Sequence, residues 1–259
     1  MVPRTLFGPE HEDFRKSIRR FYADEIMPHH AMWEERGHVD REVWNRAGEL
    51  GFLCLTVPEE YGGMGVDTLY SVILMEEQAY AGATGMSFSA HSDIVANYIF
   101  NFGSEDQKRH WLPRMARGEA VGALGMTEPG TGSDLQAITT RAVKDGSDYV
   151  INGQKIFITN GYLSDIVLLV AKTGKGGAKD ISLILVETDR TGFSRGKPLK
   201  KVGLRAQDTC ELFFDNVRVP QTNLLGGEEG KAFPMLMKEL AFEPVSYTHL
   251  RAHETGRNL

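Results

Sequence analysis

Several common features are missing from this 259-residue sequence, and each absence narrows the class of protein. Only two cysteines occur, Cys54 and Cys210, and they lie far apart in apolar or strand-like runs. They support neither a disulfide framework nor a zinc site, and buried free thiols are the simpler interpretation. No apolar run approaches the ~20 residues of a membrane-spanning helix, and no signal peptide precedes the first helical pattern. These absences predict a reducing, cytosol-like compartment.

Positive charge and phosphate-binding motifs are also scarce. The net charge of −6 argues against nucleic acid as a partner, because binding a phosphate backbone requires a clustered basic face. The glycine pairs at positions 63/65 and 130/132 lack the third glycine and the strand-to-helix setting of a dinucleotide fold. His249 and His253 have the spacing of metal ligands on a helix, but no further ligand accompanies them. We therefore expect no metal site.

Helical periodicity is present from Pro9 to about Glu119. Asp40 is placed to cap a second helix, and Ser104 with Gln107 forms the capping-box pattern of a later one. The predicted helices are one over Phe14–Ile26 that Pro28 ends or kinks, Asp40–Leu50, Asp67–Tyr80, Ala83–Phe102, and one that contains Trp111 and Met115.

The hydrophobic pattern changes to alternation between Ala120 and Phe214, where glycine-containing turns separate short runs. Asn152-Gly153 is the strongest short turn signal and predicts a β-hairpin that leads into an extended segment. Because no helix of useful length separates the strands, we predict an antiparallel sheet and not a doubly wound one. The predicted strands are Val121–Thr127, Thr140–Lys144, Tyr149–Ile151, Lys155–Thr159, Ile166–Ala171, Ile181–Glu187 and Thr209–Asp215.

These patterns predict an α+β architecture with three parts and a tail. An N-terminal all-α domain covers residues 1–119, and a central antiparallel β-barrel-like domain covers residues 120–222. Residues 223–243 begin a truncated C-terminal helical domain, in which Gly226–Phe242 is helical. Residues 244–259 are polar and aperiodic, so they are either a disordered natural tail or out-of-register sequence joined where a gene fragment ended. We favour the second interpretation.

Two neighbouring segments carry the clearest functional pattern. Residues 124–134 read Leu-Gly-Met-Thr-Glu-Pro-Gly-Thr-Gly-Ser-Asp, a strand end followed by a glycine-rich turn that lets backbone N–H groups approach an anion. Residues 152–161 read Asn-Gly-Gln-Lys-Ile-Phe-Ile-Thr-Asn-Gly. Together they present hydroxyls at positions 127, 133 and 159 beside the ring of Phe157. A flat, polar-edged ring that carries a pyrophosphate tail needs such a set.

The two segments and their spacing resemble the flavin-contacting segments of the acyl-CoA dehydrogenase family. The resemblance extends, in order, from Phe7 to Glu243. Gln207-Asp208-Thr209 and Met237–Leu240 are most similar to the long-chain branch of that family. Further matching stretches are Pro-Glu-Glu-Tyr-Gly-Gly at 58–63, Gly-Ser-Glu-Asp-Gln-Lys at 103–108 and Gly-Leu-Arg-Ala-Gln-Asp-Thr at 203–209.

The resemblance implies an FAD-dependent oxidoreductase that converts long-chain acyl-CoA thioesters to trans-2-enoyl-CoA in fatty acid β-oxidation. It also implies that electrons pass to an electron-transferring flavoprotein and that the full-length protein is a homotetramer. The implied location is the cytoplasm of a bacterium or the mitochondrial matrix of a eukaryote. An acyl-CoA oxidase, a dehydrogenase for short or branched acyl-CoA, and a non-catalytic protein on the same scaffold remain alternatives.

Residue roles follow from the resemblance position by position. Thr127 would reach the pyrimidine edge of the flavin, and Thr159 would place its hydroxyl near N5. Phe157 would shield the ring from water, a plain core strand residue being the alternative. The implied flavin contacts are Leu124, Met126, Thr127, Gly132, Ser133, Phe157, Ile158 and Thr159. The implied substrate contacts are Ser133, Ala178, Lys179 and Phe242, although a solvated basic loop is the more ordinary explanation of Lys179.

Glu243 is the candidate general base, because Met237–Glu243 matches the long-chain branch up to its glutamate. It would take the Cα proton of the substrate, made more basic by the dry site that the acyl chain creates. The arginine that follows in the family is replaced by Pro244, which disrupts the helix that should hold Glu243. An exposed glutamate at a frayed helix end is the alternative. We therefore expect the chain as it stands to bind FAD weakly or not at all and to be inactive.

Overall fold

The computed structural model describes residues 5–132, 134–174 and 178–239. The chain begins with helices, and π-helical turns at Tyr22–Ile26 and Ala90–Val95 interrupt their path. Among the described residues, no helix combines the length and the apolar character needed to cross a membrane. The α-helices of this part are α1 (Pro9–Phe21), α2 (Met27–Arg36), α3 (Glu42–Glu49), α4 (Thr68–Ala81), α5 (Ala96–Phe102) and α6 (Glu105–Ala116).

Pro28 does not end the first helical path. The chain passes from α1 through the π-helical turn at Tyr22–Ile26 into α2, where Pro28 occupies the first turn. A proline is tolerated there because its missing N–H would lack an intrahelical partner anyway. The wide turn is closed by the N–H of Met27, which donates to the carbonyl of Tyr22.

One of the two predicted helix caps is confirmed, since Ser104 and Gln107 form the complete capping box of α6. In addition, Asp67 caps α4 by accepting a hydrogen bond from Leu69 N at 2.8 Å. The prediction that Asp40 caps α3 is wrong, since that helix begins at Glu42. Asp40 instead accepts from Trp33 Nε1 at 2.9 Å and from Arg36 at 2.6 Å. These contacts hold the carboxylate on α2 and lower its pKa, with the indole bond as the largest cause.

A curled sheet follows the helices, as the predicted α+β fold class requires. The strands are β1 (Gly122–Gly125), β2 (Arg141–Asp145), β3 (Asp148–Thr159), β4 (Ile166–Lys172), β5 (Ile181–Glu187), β6 (Phe193–Arg195) and β7 (Thr209–Pro220). Their order in the sheet is β1-β4-β2-β3-β7-β6, with β5 on the other side of β4. The sheet is mixed and not purely antiparallel, because β1 pairs with β4 in parallel from Gly122–Ile166 to Gly125–Leu169.

The predicted turn at Asn152-Gly153 is wrong. Both residues lie inside β3, which runs unbroken from Asp148 to Thr159, and the hairpin turn is at Gly146 with φ +61°. A bulge in the pairing of β3 with β7 falls between Ile151 and Gly153. Gly153 has φ +150°, and a Cβ there would lie 2.5 Å from Thr140 Oγ1. The glycine therefore makes room for a neighbouring segment and does not reverse the chain.

Buried hydrogen bonds join the helices to the sheet. His91, which is fully buried in the second π-helical turn, accepts from Gly122 N at 3.0 Å and faces the carbonyl of Met115 at 3.1 Å. Asn160 donates to the carbonyls of Ser87 at 3.1 Å and Gly122 at 3.3 Å. Since Gly122 opens β1, these bonds fix the start of the sheet against the helical part.

At the C-terminal end of the described chain, helix α7 (Ala232–Glu239) packs on α5. Leu236 and Ala232 are buried in the same apolar cluster as Tyr98, and Asn101 donates to Glu239 Oε1 at 2.9 Å. The helix predicted over Gly226–Phe242 is therefore confirmed only from Ala232 onwards. Its last residues and the predicted tail lie outside the described residues.

The junction histidine gives a pH-dependent prediction. Burial lowers the pKa of His91 to about 4, and the acceptor role of Nδ1 leaves no room for a second proton. The unfolded chain binds this proton near pH 6.5, so stability is lost as the pH falls from 6.5 towards 4. We expect a loss of roughly 2–3 kcal/mol in the free energy of unfolding over that range.

His91→Gln should flatten this part of the pH profile while keeping an acceptor and a donor. Urea unfolding at a series of pH values measures the free energy of unfolding of the wild type and of the variant. Burial raises the pKa of Asp93 to about 6, which changes stability with pH in the opposite direction. This contribution is common to both proteins and cancels in the difference between them. If the free energy of unfolding changed with pH in the same way in the wild type and in the variant, His91 would not be the group responsible.

Candidate functional site

The glycine-rich turn after β1 is held by backbone hydrogen bonds. Ile156 N donates to the carbonyl of Thr127 at 2.9 Å, which ties the turn to β3. Glu128 and Thr131 exchange two bonds, at 2.9 and 3.0 Å, which closes the turn around Pro129 and Gly130. A Cβ at Gly130 or at Gly132 would meet nothing within 4 Å, so the outer side of the turn is open.

Beneath the turn lies a buried ion pair. The ammonium of Lys155 contacts Glu128 Oε1 at 2.9 Å and donates to the carbonyl of Met126 at 2.9 Å, and both charged side chains are almost fully buried. The carboxylate of Glu128 also accepts from Thr139 N at 2.6 Å, Thr139 Oγ1 at 2.7 Å and Thr140 N at 3.0 Å. A buried charge pair persists only when such bonds satisfy its remaining oxygens.

The pair has shifted pKa values. Burial alone would raise the pKa of Glu128, but hydrogen bonds from Lys155, Thr140 and Thr139 outweigh it and bring the pKa to about 2. Burial lowers the pKa of Lys155 to about 8, against the opposing attraction of Glu128. At neutral pH both groups are therefore charged.

Phe157 stands out from β3 next to the turn. Its φ is +61°, and the pairing of β3 with β7 shifts register between Lys155 and Ile158. This irregularity directs the ring outwards, where it is 63% exposed, while Ile158 is buried in the sheet core. The alternative of a plain core strand residue is therefore wrong for Phe157. An exposed aromatic ring in left-handed backbone is unusual and indicates a contact surface.

Thr159 ends β3 with its hydroxyl held from one side. Gln207 Nε2 donates to Thr159 Oγ1 at 3.1 Å. A hydroxyl that accepts one bond keeps its own proton for a second partner. Gln207 is in turn fixed by Lys201, which donates to its carbonyl, and by its neighbour Asp208, a buried carboxylate that accepts from Leu163 N at 2.9 Å.

Asp208 is the most strongly shifted carboxyl in this region. Burial raises its pKa to about 7, against the effect of backbone bonds and of Lys201. The group anchors the 160–163 corner to the start of β7.

Four of the predicted flavin contacts, Leu124, Met126, Thr127 and Gly132, share one stretch with the turn. The bond from Ile156 to Thr127 brings this stretch against the Phe157–Thr159 segment. Lys179 lies elsewhere: it is exposed, in the helical turn Ala178–Asp180 before β5, and its carbonyl approaches Gly230. The predicted residues Ser133, Phe242 and Glu243 lie outside the described residues.

Sequence reasoning missed Glu128, Lys155 and Gln207. The signal for the pair was an acidic residue in an otherwise uncharged turn and a lysine in the largely apolar end of a strand. Such residues face solvent by default, so only the register of β3 could reveal that Lys155 points inwards.

Comparison with known proteins identifies the family. Residues 8–119 match the description "Acyl-CoA dehydrogenase, N-terminal domain", and residues 123–217 match "Acyl-CoA dehydrogenase, middle domain". The chain belongs to the acyl-CoA dehydrogenase family. It is 52% identical over 250 residues to the mitochondrial long-chain specific acyl-CoA dehydrogenase of Sus scrofa, a match that covers 95% of this chain and 58% of that protein.

Solved structures agree. An acyl-CoA dehydrogenase from Geobacillus kaustophilus superposes with a TM-score of 0.88 at 48% identity, covering 92% of this chain and 63% of that one. An acyl-CoA dehydrogenase complexed with FAD from Bacillus anthracis superposes with a TM-score of 0.83 at 35% identity, covering 91% and 40%. The chain therefore spans less than two thirds of the length of these relatives.

The residues present fit a flavin. Among the described residues, none forms a hydrogen bond with the Thr127 hydroxyl, and Thr159 retains a proton to donate. Both hydroxyls suit the polar edge of an isoalloxazine ring, and the exposed Phe157 ring suits its face. The open side of the turn at Gly130 and Gly132 leaves room for the approach of a pyrophosphate.

Proposed function

We propose that this chain is the larger part of an FAD-dependent acyl-CoA dehydrogenase that acts on long-chain acyl-CoA thioesters. The observation that carries the proposal is the joining of two hydroxyl-bearing segments, at Thr127 and Thr159, through the Ile156–Thr127 bond beside an exposed aromatic ring. Preference for long chains is supported by the 52% identity to a long-chain specific relative.

Bound FAD would supply the acceptor for a hydride from the substrate Cβ. Thr127 would hold the pyrimidine edge and Thr159 the region of N5, while Phe157 would exclude water from the ring. Glu243 would remove the Cα proton as general base. Its own backbone N–H would help to stabilise the negative charge that develops on the thioester oxygen.

We further propose an electron-transferring flavoprotein as the acceptor of electrons from the reduced protein. The full-length protein would be a homotetramer located in the bacterial cytoplasm or the mitochondrial matrix. Lys179 and Ala178 would lie near the CoA phosphates, Ser133 would contact the pantetheine arm, and Phe242 would contact the acyl chain.

The test uses a full-length protein that contains this chain, because the chain spans less than two thirds of the length of the relatives that it matches. That protein should be yellow and should reduce an artificial electron acceptor with palmitoyl-CoA. Glu243→Gln should abolish turnover, by at least about 100-fold, while FAD remains bound. A colourless protein would contradict the proposal that FAD is the cofactor. Full activity of Glu243→Gln would contradict the proposal that Glu243 is the general base.

Two further assays separate the alternatives. Faster turnover of a short or branched acyl-CoA than of palmitoyl-CoA would move the protein to another dehydrogenase class. Formation of hydrogen peroxide at the rate of substrate oxidation would identify an oxidase.

A further inference from the structure

The Glu128–Lys155 pair has a geometry that a simple stabilising contact would not need. Every described hydrogen bond of its two charged groups ends on a residue within or beside the glycine-rich turn or on the 139–140 segment. Buried ion pairs of this kind are weak sources of net stability, because desolvation offsets the attraction. Their value lies in fixing one arrangement of the chain.

Thr127 is constrained from both of its neighbours. On one side, the Met126 carbonyl accepts from Lys155 Nζ at 2.9 Å. On the other, the Glu128 carboxylate is bound by Lys155 and by the 139–140 segment. The carbonyl of Thr127 itself accepts from Ile156 N. The backbone of residues 126–128 is therefore fixed at three successive positions, while the Thr127 hydroxyl stays unbonded among the described residues.

We propose that Glu128 and Lys155 are positioning residues that set the turn and the Thr127 hydroxyl before any cofactor binds. The proposal deepens the proposed function, since Thr127 is the residue that would meet the flavin. An exposed glycine-rich turn would otherwise sample many conformations, and ordering it on binding would weaken affinity. Because the Glu128–Lys155 pair already holds the turn in one conformation, cofactor binding would not need to order it.

The deciding experiment is hydrogen–deuterium exchange on the cofactor-free chain, with Glu128→Gln/Lys155→Met as the test variant. The double change removes both charges together and leaves no unpaired buried ion. It also deletes the donor to Met126. The amides of Glu128 and Thr131, each of which donates to the carbonyl of the other residue, should exchange about tenfold faster or more, while strand β4 stays protected.

Arg218→Met is the matched control. Arg218 forms solvent-accessible ion pairs with Asp145 at 2.7 Å and with Asp148 at 3.2 Å in the same sheet, so its loss should leave exchange in the glycine-rich turn unchanged. Unchanged exchange of the turn in the double variant would overturn the proposal, as would equal loosening of β4. If the double variant does not fold, Glu128→Asp replaces it, because the shorter carboxylate cannot reach both Lys155 and the 139–140 segment.

A flavin readout separates this proposal from the proposed function. In the full-length protein that contains this chain, the double variant should bind FAD about tenfold more weakly than the wild type, and the visible absorption of the bound flavin should change. Arg218→Met should leave both properties unaffected. Absence of FAD binding by the wild type would reject the proposed function but leave the exchange result valid. FAD affinity and spectrum equal to those of the wild type would reject the positioning role.

Discussion

Lys155→Met alone should lower the free energy of unfolding by about 3–5 kcal/mol. The substitution leaves the carboxylate of Glu128 buried without its counter-charge, and it removes the donor to the Met126 carbonyl. Part of the cost is avoided if Glu128 takes up a proton, so its pKa, now about 2, should rise strongly. Urea unfolding at neutral pH measures the loss.

The matched variants make this result specific. Glu128→Gln/Lys155→Met should recover most of the lost stability, because no buried ion is left unpaired. Arg218→Met removes the solvent-accessible ion pairs of Arg218 with Asp145 and Asp148, and it should cost no more than about 1 kcal/mol. A loss below about 1 kcal/mol for Lys155→Met, or a double variant no more stable than the single one, would show that the pair is not a buried ionic contact.

Gly118→Ala should be the second strongly destabilising change, with a loss of about 3 kcal/mol or more. Gly118 has φ +70°, and a Cβ there would lie 2.5 Å from the carbonyl carbon of Trp44 and closer still to its oxygen. The obstacle is backbone of helix α3, which the buried side chains of Val43, Trp44 and Ala47 hold in place. The Gly118 carbonyl also accepts from Arg41 Nη1 at 2.6 Å.

Gly82→Ala is the control for this variant. Gly82 has φ +69°, but a Cβ there would meet nothing within 4 Å. Gly82→Ala should therefore lower the free energy of unfolding by about 1–2 kcal/mol, which is the energy needed to hold alanine in the left-handed conformation. Thermal unfolding of both variants measures the difference, and equal losses would mean that the contact with Trp44 has no role.

Local signals predicted those elements of the fold that local chemistry decides. The capping box at Ser104 and the apolar strands β4 and β5 formed where their residues predicted. The turn predicted at Asn152-Gly153 was wrong because Gly153 is required there for its close approach to Thr140, a residue of another segment, and not for a chain reversal. The parallel pairing of β1 with β4 was likewise invisible, since strand direction depends on connections and not on composition.

Thr127, Phe157 and Thr159 could be proposed as flavin contacts because the two segments that contain them resemble the flavin-contacting segments of the family. The structure joins these two segments through the bond from Ile156 N to the Thr127 carbonyl. The residues that support them could not be proposed, because Lys155 and Gln207 acquire a role only through the bulged register of β3 and the packing of the 196–208 loop. Sequence patterns indicate the residues that would face a ligand. They do not readily indicate the residues that keep those ligand-facing residues in position.

The link between the last helical turn of α6 and the first strand has a mechanical consequence. His91 bonds Met115 at one end of that link and Gly122 at the other, so the six intervening residues form a closed loop around an imidazole. Gly118, the residue of the link best suited to swivel, is pressed against the backbone of α3. Rotation about this point would break the buried hydrogen bonds of His91 with Met115 and Gly122. The link therefore holds the helical part and the sheet in a fixed relative orientation and does not act as a hinge.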